Sequence, residues 1–179
     1  DVVEATLSFP NGVPKAVRVV GPDGREVPAQ LAEAGHGATR VLFLAKLPSV
    51  GFAVYDVQPA QATAAASELK VTESSLENAR YRVRIDNDGD VASIYDKALK
   101  RELLSAPARL AFQTEHPYDW PAWNMDWADQ QKPPRGHVGG PAKVRIVENG
   151  PVRVAMEVTR EAEDSKFIQT IRLAAGDAG

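Results

Sequence analysis

The sequence predicts an all-β fold. β-Branched Val outnumbers Leu, and 13 Gly and 13 Pro are spread over 179 residues. β-Branched side chains crowd a helix but pack well on a pleated sheet, and Gly and Pro are typical of the turns between short strands. In several segments apolar and polar residues alternate, which is the period of a strand with one buried face. Together these observations predict short antiparallel strands packed as sandwiches.

The first 60 residues are predicted to form a small β-sandwich domain. Turn-forming residues at 21–24 and 48–51 separate apolar segments, and such spacing is typical of a sandwich. The candidate strands are residues 13–20, 25–31, 40–47 and 51–57. Residues 59–68 are rich in Ala and have no apolar period, so we predict a linker over residues 61–74.

Residues 75–179 are predicted to form the first part of a second β domain. Tyr81, Val83 and Ile85 alternate with charged residues, and an Asp88-Gly89 turn leads to a returning strand at 91–96. Further strands are predicted at 143–148, 152–159 and 167–173. The chain stops without a closing element, so we expect an excised piece of a longer protein with one sheet incomplete. An open sheet edge would invite pairing with another copy.

One long segment, residues 114–142, shows no strand or helix pattern, and we call it the aromatic loop. It contains all three Trp and five Pro, and the prolines exclude a regular helix or a central strand through it. Loops of this length in compact domains are usually functional or disordered. Because aromatic side chains argue for order, the segment predicts a sugar contact in which rings stack on apolar sugar faces.

The candidate substrate-binding residues lie at the centre of the aromatic loop. They are Tyr118, Asp119, Trp120, Trp123, Asn124 and Asp126. The alternative for the indoles is that they plug the end of the sandwich core. Asp119, Asp126 and Asp129 could supply the carboxylates of glycoside chemistry, or could cap turns and stay solvated.

No catalytic residue and no metal ligand is predicted within this chain. His116 and His137 lack the spacing of a metal site, and His36 lies in a predicted loop tip. The sequence has no Cys, which excludes a disulfide framework and a thiol nucleophile. A mixed net charge of −3 predicts no nucleic-acid partner, and no apolar run is long enough to span a membrane. The compartment stays undecided, with a cytoplasmic location favoured because no signal peptide is visible.

Several motifs in residues 76–104 resemble the opening of the C-terminal β domain of family 38 glycoside hydrolases, the α-mannosidases. The matching residues are Glu77-Asn78, Tyr81, Val83, Asp88-Gly89, Val91, Ser93, Ile94, Asp96-Lys97 and Arg101-Glu102-Leu103. Residues 117–127 resemble the aromatic loop of that family, and the whole resemblance covers residues 40–175. The family carries Asp where this chain has Pro121 and Asn124, so no ionised group is expected there.

The resemblance implies a non-catalytic fragment of a retaining, zinc-dependent exo-α-mannosidase. It places the zinc ligands and the nucleophilic Asp in an N-terminal catalytic domain outside this chain. That missing domain and an α-mannoside or other carbohydrate are the implied partners, and no cofactor is implied within the fragment. For the second domain it implies a distorted super-sandwich similar to galactose mutarotase.

Three other functions remain open from the sequence. The chain could be a free-standing carbohydrate-binding module, which would require at least one exposed indole. It could be a mutarotase-like epimerase, with His116 paired to Asp126 or Glu115 as acid and base. It could also be a purely structural interaction domain, since a fold alone does not select a function.

Overall fold

The computed structural model of the chain describes residues 1–32, 39–62, 67–120 and 123–176. These residues are almost entirely strands and loops, with one short helix among them, so the all-β prediction is confirmed. The elements are β1 (Val2–Leu7), β2 (Ala16–Val20), β3 (Glu26–Val27), β4 (Ala29–Ala32), β5 (Thr39–Leu44), β6 (Asp56–Ala60), β7 (Lys70–Thr72), β8 (Ser75–Glu77), β9 (Tyr81–Ile85), β10 (Val91–Asp96), β11 (Arg101–Glu102), β12 (Ala111–Phe112), α1 (Trp127–Gln130), β13 (Gly136–His137), β14 (Lys143–Asn149), β15 (Arg153–Ala162) and β16 (Ser165–Ala174). No helix in the described ranges is long and apolar enough to cross a membrane.

The first six strands form two antiparallel sheets that share one core. The strand orders are β1-β5-β4 and β3-β2-β6. Val17 and Val19 of β2 are buried while Arg18 between them is exposed, as the two-residue period of a strand requires. β5 and β6 flank residues 48–51 but pair in different sheets, so that segment crosses between sheets rather than closing a hairpin.

The second part of the chain contains a five-stranded sheet, β11-β10-β9-β8-β7, and a three-stranded sheet, β14-β15-β16. One apolar cluster joins them, with Leu76 and Val83 from the first sheet and Val154, Met156 and Val158 from the second. Within the described residues, β16 pairs only with β15, so its other edge carries no strand.

The structure corrects the predicted linker at its C-terminal end. The sequence predicts a linker over residues 61–74, but Lys70–Thr72 form β7 and pair with β8. Leu69 is buried and Val71 packs on the same cluster, so a short apolar alternation follows the Ala-rich residues. The Ala-rich residues just before this strand led to the prediction of a linker. Residues 63–66 lie outside the described ranges.

Gly89 and a buried ion pair hold the β9–β10 turn against β15. Gly89 has φ +80, and a Cβ there would lie 2.6 Å from Val158 Cγ1. Arg160 is buried and its Nη1 donates to Asp90 Oδ1 at 2.6 Å and to the carbonyls of Asp88 and Val138 at 3.1 Å. Because Val138 follows β13, this guanidinium also fixes the returning arm of the aromatic loop.

A buried amide joins the first sandwich to the β14–β15 turn. Gln30 Oε1 accepts the backbone N–H groups of Val152 and Arg153, both at 2.9 Å. Arg153 in turn pairs with Glu148 at 2.6 Å and with Glu4 at 3.1 Å. These bonds tie β1 and β4 to the β14–β15 hairpin.

Candidate functional site

The two ends of the aromatic loop leave the fold side by side. β12 and β13 pair antiparallel, with Ala111 opposite His137 and Phe112 opposite Gly136. Arg135 stacks over the Phe112 ring at 4.9 Å, and its guanidinium also forms a two-pronged pair with Glu163 at the β15–β16 turn. The root of the loop is therefore fastened to the three-stranded sheet.

Near its two ends, the loop is held together by Asp129. This side chain is buried, and its carboxylate accepts the His116 backbone N–H and the Lys132 ammonium, each at 2.6 Å. Gln113 Nε2 donates to the carbonyls of Asp129 and Lys132 at 3.0 and 2.8 Å. The Lys132 ammonium, followed by the His116 N–H, lowers the pKa of Asp129, so this carboxyl is ionised at neutral pH.

The central part of the loop is held together by Asp126. Its two carboxylate oxygens accept the Tyr118 backbone N–H at 3.1 Å and the Asn124 amide at 2.8 Å. The Trp120 carbonyl accepts the N–H groups of Trp123 at 2.8 Å and Asn124 at 3.0 Å. Trp120 itself has φ 58, a left-handed conformation that costs a bulky residue free energy. These bonds of the described residues all lie within the loop itself.

The aromatic side chains of the loop project into solvent. Their exposed fractions are 92% for Tyr118, 74% for Trp120, 90% for Trp123 and 73% for Trp127. The alternative in which the indoles plug the sandwich core is therefore wrong. Within the described residues of the loop, side chains bond backbone N–H groups, and the rings are exposed.

The carboxylates of the loop divide into two kinds. Asp126 and Asp129 bond loop N–H groups, as in the turn-capping alternative, although Asp129 is buried rather than solvated. Asp119 is exposed. His116 bonds Asp129 through its backbone, and Asp126 is engaged elsewhere, so nothing joins them as an acid–base pair. Among the described residues no group of three His, Asp or Glu could hold a metal ion. His36 lies outside the described ranges.

The family comparison rests on the second part of the chain. Residues 76–179 match the model of the glycosyl hydrolases family 38 C-terminal domain. This chain belongs to glycosyl hydrolase family 38. No curated protein matches it.

Two solved structures from Enterococcus faecalis are similar to the chain. One is an alpha-mannosidase from strain V583, with 16% identity and a TM-score of 0.48 over 89% of this chain and 21% of its own. The other is a protein in the glycosyl hydrolase family 38, with 16% identity and a TM-score of 0.47 over 89% of this chain and 22% of its own. This family 38 chain thus spans about a fifth of the length of either structure.

The family 38 motif residues that carry the resemblance hold turns and strand ends. Asn78 is buried; its Oδ1 accepts the N–H groups of Arg80 and Tyr81, and its Nδ2 donates to the Ala174 carbonyl at 2.9 Å. The Asp96 carboxylate caps the next turn by accepting the N–H groups of residues 98 and 99. These motif residues are part of the scaffold, whereas the exposed rings lie in the loop between β12 and β13.

Three residues hold the loop, and the sequence predicts a role for only one of them. Gln113 and Arg135 are not among the predicted candidates, and Asp129 is predicted only to supply chemistry or to cap a turn and stay solvated. Lys132 is three residues from Asp129, but the other partners of these three side chains are 13 to 28 residues away. No local pattern reports such bonds. The one available signal was the number of carboxylates in a proline-rich segment.

Proposed function

We propose that this chain is a non-catalytic β segment of a retaining, zinc-dependent exo-α-mannosidase of family 38. In the parent protein it supports the catalytic domain, and its aromatic loop helps to shape the substrate cleft. The observation that carries the proposal is an ordered loop, within a family 38 domain, that presents four exposed aromatic rings.

The chemistry of the loop suits a carbohydrate. A sugar ring has an apolar face that stacks on an indole and hydroxyl groups that bond carboxylate and amide oxygens. Asp119 and Asn124 are exposed beside Trp120 and Trp123 in the sequence. Because the loop backbone is already bonded internally, little conformational entropy has to be lost when a sugar binds.

The reaction itself is assigned to the part of the parent protein outside this chain. In the proposal a zinc ion and a nucleophilic carboxylate in the catalytic domain supply the electrostatic and covalent contributions to catalysis. Among the described residues, no three His, Asp or Glu side chains lie together as a metal site requires. The isolated chain should therefore not hydrolyse α-mannosides. Hydrolysis by the pure chain that a chelator abolishes would contradict the proposal.

The decisive experiment compares two variants of the parent enzyme on p-nitrophenyl α-mannoside and on an α-linked mannobiose. Trp120→Ala with Trp123→Ala removes the proposed contact. We expect KM for the disaccharide to rise about tenfold with kcat little changed, which is the pattern for lost uniform binding. Phe52→Ala is the matched control, because Phe52 is 87% exposed and lies in the first sandwich. Equal KM values in the tryptophan variant and the control would overturn the role in the cleft.

A free-standing carbohydrate-binding module is the second candidate, favoured by the exposure of all three indoles. The two candidates differ in the size of the natural product. An antibody to this chain should detect a band far larger than 19.3 kDa in source cells if the chain is part of an enzyme. A band near 19 kDa would favour the module.

A further inference from the structure

Asp129 closes the part of the loop that carries the rings. The bond between its carboxylate and the His116 N–H joins two positions 13 residues apart. Tyr118, Trp120 and Trp123 all lie between these positions. Closing a flexible segment removes conformational freedom from everything within it. The segment that carries the rings is therefore closed by a carboxylate that bonds the His116 backbone and the Lys132 ammonium.

The closure is anchored to the sheet through Gln113. This side chain bonds the carbonyls of Asp129 and Lys132, and its neighbour Phe112 packs edge-on against Phe167 of β16 at 5.8 Å. The guanidinium of Arg135 also contacts the Phe112 ring, 4.9 Å from the ring centroid. A continuous set of contacts thus runs from β16 to the segment that carries the rings.

Resting on the proposed carbohydrate contact, we propose that Asp129 is the positioning residue of the aromatic loop. Its ionised carboxylate holds the His116 arm and the Lys132 arm together and so preorganises the exposed rings for the sugar. Asp129 itself is buried, so in this proposal it does not contact the sugar. Preorganisation of this kind increases affinity because the ordering cost is met before binding.

Asp96 provides a matched control within the same chain. It is also a buried carboxylate, and it accepts two backbone N–H groups and the Arg80 guanidinium. Its bonds hold the β10–β11 turn of the five-stranded sheet, far along the chain from the rings. Removing its charge should affect the unfolding midpoint and leave the loop unchanged.

The experiment measures the indole N–H resonances of the ¹⁵N-labelled 179-residue chain and its affinity for methyl α-mannoside. In Asp129→Asn we expect the Trp120 and Trp123 indole signals to move toward their values in urea, and the affinity to fall about tenfold. Lys132→Met removes only the charge partner, which is 59% exposed, and should give a smaller shift in the same direction. Asp96→Asn should lower the urea midpoint and leave both the indole signals and the affinity as in the wild type.

Two results would overturn the positioning role. One is an Asp129→Asn variant whose indole signals match the wild type. The other is a variant whose indole signals collapse while its affinity is retained. Failure of the proposed function would give a different result. The wild-type chain would then not bind the mannoside, and the tryptophan substitutions would not change KM in the parent enzyme. In that case the carbohydrate part of the inference is overturned as well.

Discussion

In both the five-stranded sheet and the aromatic loop, a buried aspartate accepts backbone N–H groups, but the apolar side chains nearby are buried in the sheet and exposed in the loop. In the sheet, Asp96 accepts backbone N–H groups at a turn, and the neighbouring strands bury Leu76 and Val83. In the loop, Asp129 also accepts a backbone N–H, but Trp123 remains 90% exposed. The buried apolar side chains of the sheet stabilise the fold, whereas the aromatic side chains of the loop are exposed to solvent. Stability and binding should therefore be separable by mutation.

The largest expected effect breaks the sheet side of this comparison. Arg160→Ala removes the closer charge partner of the buried Asp90 carboxylate, at 2.6 Å, and leaves Arg109 Nε at 3.1 Å as the remaining one. We expect the free energy of unfolding to fall by about 3 kcal/mol, measured by urea denaturation. Arg145→Ala is the control, because its pair with Glu157 is exposed and should be worth under about 1 kcal/mol. Similar losses in the two variants would show that the buried pair is not special.

A smaller effect of opposite sign is expected in the loop. Trp120 has φ 58, so Trp120→Gly relieves a left-handed backbone and should stabilise the fold by about 1 kcal/mol while weakening mannoside binding. Trp123 does not have a positive φ, and Trp123→Gly should weaken binding without any gain in stability. Urea midpoints and mannoside titrations of both variants test this. A loss of stability in Trp120→Gly would mean that the ring packs in the fold.

The smallest effect concerns the acid stability of the sheet. The Ser93 hydroxyl and then the Leu104 N–H, with two further backbone N–H groups, lower the pKa of Glu102 to about 2. A carboxyl with a lowered pKa in the folded state stabilises the fold above the unfolded value of 4.5, and this contribution disappears as pH falls toward 2.

Glu102→Gln lacks this contribution at every pH. The difference in urea midpoint between wild type and variant should be largest at pH 6 and should shrink steadily between pH 4.5 and pH 2. A difference that stays constant across this range would contradict the assignment.

Most of the strands could be predicted because their side chains repeat with a local period. Apolar and polar residues alternate clearly in residues 81–85 and 152–159. The hairpin turn next to each of these segments carries Gly or Asn. β7 was missed because its alternation is only four residues long and follows an Ala-rich segment. The pairing of β5 and β6 in different sheets depends on contacts over long sequence separations, which no local period contains.

The aromatic loop could be predicted as a candidate site, but the bonds that hold it could not be predicted. Its composition indicates a sugar contact, and the six candidate residues do lie together there in the chain. The segment that carries its rings is held by bonds of Asp129, Gln113 and Arg135 to residues 13 to 28 positions away, which no local pattern contains. The assignment of the candidate residues to a carbohydrate stays a prediction.

The most direct measurement is a titration of the ¹⁵N-labelled wild-type chain with methyl α-mannoside, followed through the three indole N–H signals. We expect the Trp120 and Trp123 signals to shift and saturate together, while the backbone signals of β9 and β15 stay in place. An equal titration with no indole shift, or shifts confined to the sheets, would contradict the aromatic loop as the carbohydrate contact.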